Sequence, residues 1–135
     1  MIPTRFSVAC HALVLIAEAG APLTSSTLAE RLGVAAVPLR RLMMLLKQRR
    51  LVASGKAGPS SGRGYRLTLA PRAIVLAMVW EAVHPPRERL IRLHDTDDLP
   101  FLEAMTAMTR AAESRLKETF VNTTVHDLLE ARKRS

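Results

Sequence analysis

Residues 28–48 read LAERLGVAAVPLRRLMMLLKQ, and this run decides the fold. Leu28, Ala29 and Leu32 form a short apolar stripe at helical spacing, and Gly33 closes it. Thr24-Ser25-Ser26 just upstream offers hydroxyl caps, so a short helix is predicted over about 26–32. After a tight turn, Pro38 stands in the first turn of the next helix, where its missing N–H costs little. At roughly 100° per residue, Leu39, Leu42, Met43 and Leu46 share one direction on that helix. Val37, Arg41, Met44 and Gln48 share the opposite one, flanked by Arg40 and Lys47. A short helix, a tight turn and an amphipathic helix with a basic outer face make a helix-turn-helix whose last helix suits a major groove.

Upstream, Phe6, Ala9, Leu13, Ile16 and Ala17 predict a first helix over about 4–19, stopped by Gly20-Ala21-Pro22. The stretch Val8–Ala21, with Arg5 before it and Ala17-Glu18-Ala19 near its end, has the outline of a signal peptide. His11 inside it and its short apolar run favour an ordinary helix, and no run reaches the length of a membrane span. Downstream, Leu51–Ala53 and Tyr65–Leu67 read as two short strands joined by a long glycine-rich hairpin, the wing. A fourth helix is expected over 74–83, stopped by Pro85-Pro86, and residues 87–99 are charged and irregular. A long helix then runs from Pro100 to about Phe120, and Val125, Leu128 and Leu129 form a last short helix before a basic tail, Arg132-Lys133-Arg134. The fold class is mainly α with a small β-wing. Residues 1–84 form a winged helix-turn-helix, and residues 85–135 a linker, a long dimerisation helix and a short terminal helix.

The charge is as uneven as the elements. All of the net charge of +8 lies in residues 1–70, where ten Lys and Arg meet only Glu18 and Glu30, while residues 71–135 balance ten against ten. A field so concentrated attracts a polyanion and weakens with salt. Five aromatic residues in 135 are too few for the stacking platforms that hold single strands, so duplex DNA is the expected partner. An architectural binder would carry basic residues on both halves and a wedge side chain, and the neutral second half speaks against it. No nucleophile–base or paired-carboxylate spacing suggests an enzyme.

Arg41 is the candidate for a bidentate contact to guanine, Val37 for a thymine methyl, and Arg40 and Lys47 for phosphates. Met44 and Gln48 share that face, Ser25 and Ser26 are added from the preceding helix, and Lys56 and Arg63 are carried on the wing loop, within reach of a minor groove. The plainer alternatives are a solvated helix face, a hairpin whose glycines serve only turn geometry, and a winged-helix module for protein contacts. Along the long helix, Phe101, Met105, Met108, Ala112, Leu116 and Phe120 form a stripe too long for one small domain to cover, which predicts a homodimer.

Arg5–Ala9 leading to His11-Ala12-Leu13, Leu23-Thr24-Ser25, Leu28–Gly33, Arg40–Met43, Leu51-Val52, Gly58-Pro59 with Gly62–Leu67, the Ile74–Val83 helix and Thr123–Leu129 together resemble the Rrf2 family of bacterial transcription regulators. The resemblance implies a homodimeric winged-helix repressor, paired through the long helix and set for a palindromic operator. Two departures stand out. Ala35-Ala36 replaces a common Asn-Pro, so the recognition helix lacks a side-chain cap, and two extra residues lie near Ser60-Ser61 in the wing.

Iron–sulfur members of that family hold their cluster through three cysteines between the fourth and the long helix. Residues 84–99 contain none, and such a cluster needs thiolates, so no metal or cofactor is expected and the protein should purify colourless. His84, His94 and Asp95, Asp97 and Asp98 read as a solvated loop rather than a hard-metal site. Cys10, the single cysteine, excludes an internal disulfide and suits a reducing cytoplasm. It is the one handle for redox sensing, which some relatives use, but its apolar company on the first helix favours an inert thiol.

Overall fold

The computed structural model describes residues 2–56, 62–84 and 91–134. The chain runs α1 (Ile2–Ala19), β1 (Leu23–Thr24), α2 (Ser25–Leu32), α3 (Ala36–Gln48), β2 (Val52–Lys56), β3 (Arg63–Leu67), a 3₁₀ turn at Pro71–Ala73, α4 (Leu76–Val83), α5 (Leu99–Val121) and α6 (Val125–Lys133). Helices lead and a small sheet forms the wing, as the sequence pattern predicts. The wing tip with Gly58, Pro59 and Ser60-Ser61, the Pro85-Pro86 stop and residues 87–90 lie outside the described residues.

Helix α1 is the axis of the core. Ala9, Ala12 and Leu13 are fully buried, and α2, α3, α4, α6 and the sheet all pack against this helix. Thr24 caps α2, its Oγ1 accepting from the Thr27 N–H at 3.1 Å, and Gly33 ends it in the left-handed region at φ +68°. A side chain there would be strained, so glycine is what lets the chain turn so sharply into α3. Helix α3 starts at Ala35 without a side-chain cap and buries Leu39, Leu42, Met43 and Leu46 against the core.

The sheet differs from a simple hairpin. Both wing strands run farther toward the tip than expected, pairing from Val52↔Leu67 out to Lys56↔Arg63. Lys56 and Arg63 therefore sit on paired strands and not on a loop. A third strand, β1, pairs with β3 through Leu23↔Tyr65 and Thr24↔Gly64, giving the order β1-β3-β2. Two residues carry no readable periodicity, and their partner lies some forty positions away, so local pattern cannot reveal the strand.

The second half corrects the sequence reading in three places. Helix α4 begins at Leu76 because Ile74 and Val75 are extended: Val75 bridges Thr124, the Leu76 N–H donates to the Thr123 carbonyl at 2.8 Å, and the Val125 N–H donates to the Ile74 carbonyl at 2.9 Å. Helix α6 absorbs Arg132 and Lys133, which were expected in a tail, and it folds back onto α1, with Val125 and Leu129 in the core. A reciprocal box starts it, the Thr124 hydroxyl accepting from the Asp127 N–H while Asp127 accepts from the Thr124 N–H. Arg132 reaches Glu18 of α1, holding that carboxyl below its ordinary range chiefly through this hydrogen bond.

Finally, Phe120 was expected on the dimer stripe, yet its ring packs within the chain, 4.8 Å from Phe6 and 5.6 Å from Trp80 between centroids. The end of α5 meets α4 and α1 there, so its inward direction is fixed by where the helix lands.

Candidate nucleic-acid interface

Four buried apolar side chains hold α3 against the core, and the opposite side of the helix is turned to solvent. Val37 and Met44 are 50% and 52% exposed, and Arg40, Arg41, Lys47 and Gln48 are exposed with them. Val37 and Met44 stand about two turns apart on the side of α3 that faces away from its buried residues. Lys47 bends toward the wing, its Nζ donating to the Ser54 hydroxyl at 2.8 Å, which ties α3 to β2.

Ser25 and Ser26 open α2, half-buried and exposed respectively, with Thr24 rather than either serine as the cap. The first turns of α2 and α3 hold no acid, so no carboxylate in either turn offsets the positive end of its helix dipole. On the wing, Lys56 and Arg63 are exposed directly opposite each other across the ladder. Like charges in that register repel. Strands β2 and β3, VASGK and RGYRL, contain no acid to relieve them. An arrangement that repels itself in isolation gains from an anion laid across it.

Sequence reasoning counted Arg49, Arg50 and Arg66 as charge but gave them no place. The structure puts Arg49 and Arg50 at the exit of α3 and Arg66 on β3, all exposed, so they add to the exposed basic surface of α3 and the wing. Arg50 adopts φ +59°, and its carbonyl accepts from the Thr68 hydroxyl, so a non-glycine residue makes the left-handed turn from helix to wing. The charge count alone was a signal for these residues; their placement depends on the turn.

Cys10 lies in the core, 8% exposed, and burial pushes its thiol up from 9.0 to about 12. It is far from a reactive thiolate. The rest of the expected dimer stripe stands open along α5: Met108 is 69% and Phe101 40% exposed, Ala112 is exposed, and Met105 and Leu116 are half-buried. Thr109 is the buried residue of this helix. His84 lies buried instead of in a solvated loop, its Nδ1 3.1 Å from the Trp80 carbonyl and its ring stacked on Trp80. Among the described residues no group of three or more His, Cys, Asp or Glu is placed to hold a metal ion, and no helix is long and apolar enough to cross a membrane.

Comparison with known proteins points the same way. Residues 2–131 match the Rrf2 family model, described as iron-dependent transcriptional regulator. IscR from T. potens has 19% identity and a TM-score of 0.70, covering 96% of this chain and 85% of its own. CymR (YrzC), the global cysteine regulator of B. subtilis, has 19% identity and a TM-score of 0.67, covering 95% of each chain. CymR from Staphylococcus aureus has 17% identity and a TM-score of 0.69, covering 94% of this chain and 96% of its own. No curated protein sequence matches this chain. The family description names iron, but the residues here do not fit a thiolate-held cluster: the single thiol is buried on α1, and residues 84–99 contain no cysteine.

Proposed function

This chain belongs to the Rrf2 family of transcriptional regulators, and we propose that it acts as a homodimeric repressor on a palindromic DNA operator. It is not an enzyme; family members are transcriptional regulators. The observation that carries the reading is the acid-free basic surface formed by the outer face of α3, the first turn of α2 and the opposed Lys56 and Arg63 of the wing. Helix α3 enters the major groove with Arg41 reading guanine, Val37 and Met44 against apolar base edges, and Gln48 beside them. Arg40, Lys47, Ser25 and Ser26 meet phosphates, and the wing cations reach the flanking minor groove.

Two copies pair through the open stripe of α5, with Phe101, Met105, Met108, Ala112 and Leu116 at its centre. Phe120 is left out because its ring is already committed within the protomer. A two-fold dimer sets two recognition helices for half-sites one helical turn apart. Regulation proceeds without an iron–sulfur cluster, in the cytoplasm where the DNA lies. Selection from a random duplex library, then footprinting of the enriched sequence at two salt concentrations, tests this. A palindromic footprint whose affinity falls steeply with salt supports it; enrichment of no sequence above random duplex refutes sequence-specific binding and leaves the fold as a protein-contact module.

A further inference from the structure

An open groove of about 680 Å³ runs between the start of α1 and the recognition helix. Val8 from α1, Val34 from the turn, and Leu42 and Leu45 from α3 supply an apolar lining, while Arg5 and Arg41 border the groove from its two sides. No acidic side chain occurs among the residues that line it. The volume is that of a small-molecule site, and an apolar body with a few convergent polar groups is the usual composition of one. The two kinds of lining call for one ligand chemistry: an amphipathic anion whose apolar chain lies on the valines and leucines and whose carboxylate meets the planar fork of Arg41.

We propose that this groove is the effector site, that it binds a medium-chain carboxylate, and that occupancy releases DNA. The coupling follows from the lining itself. Arg41 and Met44 border the groove and also stand on the outer face of α3. A carboxylate held on the Arg41 fork takes the donors that would otherwise meet a base edge, so ligand and DNA compete for one side chain. The release of DNA rests on the reading of α3 given above; the binding of the carboxylate does not.

Octanoate and 1-octanol, titrated calorimetrically against the DNA-free protein, separate the two. Octanoate is expected to bind once per chain and at least tenfold more tightly than octanol. Arg41→Met should erase that preference, and Val8→Trp, which fills the groove from the α1 side, should abolish octanoate binding. On the selected duplex, Val8→Trp should bind DNA as the unmodified protein does but no longer release it with octanoate. A melting curve establishes that the tryptophan variant is folded, and the Arg41→Met titration stands if it is not. Equal binding of acid and alcohol, octanoate binding that survives a folded Val8→Trp, or a changed oligomeric mass in that variant, which marks the groove as a contact between copies, would each overturn the proposal. Octanoate binding with the expected preference, in a protein that enriches no duplex from the random library, would uphold the site and overturn the DNA reading instead.

Discussion

Met108→Asp is the sharpest probe of how two copies meet. Met108 is 69% exposed on α5, so within one protomer its replacement removes almost no packing and should change the stability of the fold by no more than about 0.5 kcal/mol. In a two-fold dimer the same residue enters the interface from both sides. Full burial of a methionine contributes about 1.5–3 kcal/mol, and two-thirds of that remains to be gained here, roughly 1–2 kcal/mol per copy. The pair of substitutions therefore costs roughly 2–4 kcal/mol, or about 30- to 1,000-fold in the dimer Kd, before the cost of burying two carboxylates is added. Sedimentation equilibrium over nanomolar to micromolar protein reads this directly, as a shift from twice 14.9 kDa toward 14.9 kDa. Two results would refute the reasoning: an unmodified protein of 14.9 kDa at micromolar concentration, or a folded Met108→Asp with the Kd of its parent.

Further outcomes follow from single side chains. Arg41→Ala should cost about 1–3 kcal/mol at the selected site and relax base preference there, whereas Arg40→Ala should weaken all duplexes alike and lower the salt slope by about one; indistinguishable effects on specific and random DNA would show that the two arginines are wrongly assigned. Cys10 should react with a thiol reagent only as the chain unfolds, because its thiol stays protonated in the core, so rapid labelling of the native protein would restore it as a redox handle. The folded-state pKa of that thiol is raised, so the stability it contributes is fully present below pH 9.0 and is lost as pH rises from there toward about 12, which urea melts across that range would read. Thr124→Ala removes the hydroxyl of the reciprocal box and should lower stability by about 1 kcal/mol, measured by chemical denaturation; an unchanged midpoint would mean that the return of α6 to α1 does not depend on its cap.

What the sequence determined by itself is local in origin. Alternation of apolar and charged residues at helical spacing defines α3 and its outer face, Gly33 marks the turn because the left-handed region strains any other residue, and the count of charges places the basic field in the first half. The missing cysteines and the buried setting of Cys10 were legible too, since both follow from residue type and near neighbours. The tertiary structure alone decided the contacts whose partners lie far apart in the chain. Strand β1 exists because Tyr65 and Gly64 stand beside Leu23 and Thr24, and α4 starts late because Val75 bridges Thr124. Lys56 and Arg63 face each other because the ladder continues outward, and Phe120 turns inward because Phe6 and Trp80 are there to meet it. In each case a side chain or strand with little local preference takes the state its distant neighbour stabilises, and that neighbour is fixed only when the whole chain has closed around α1.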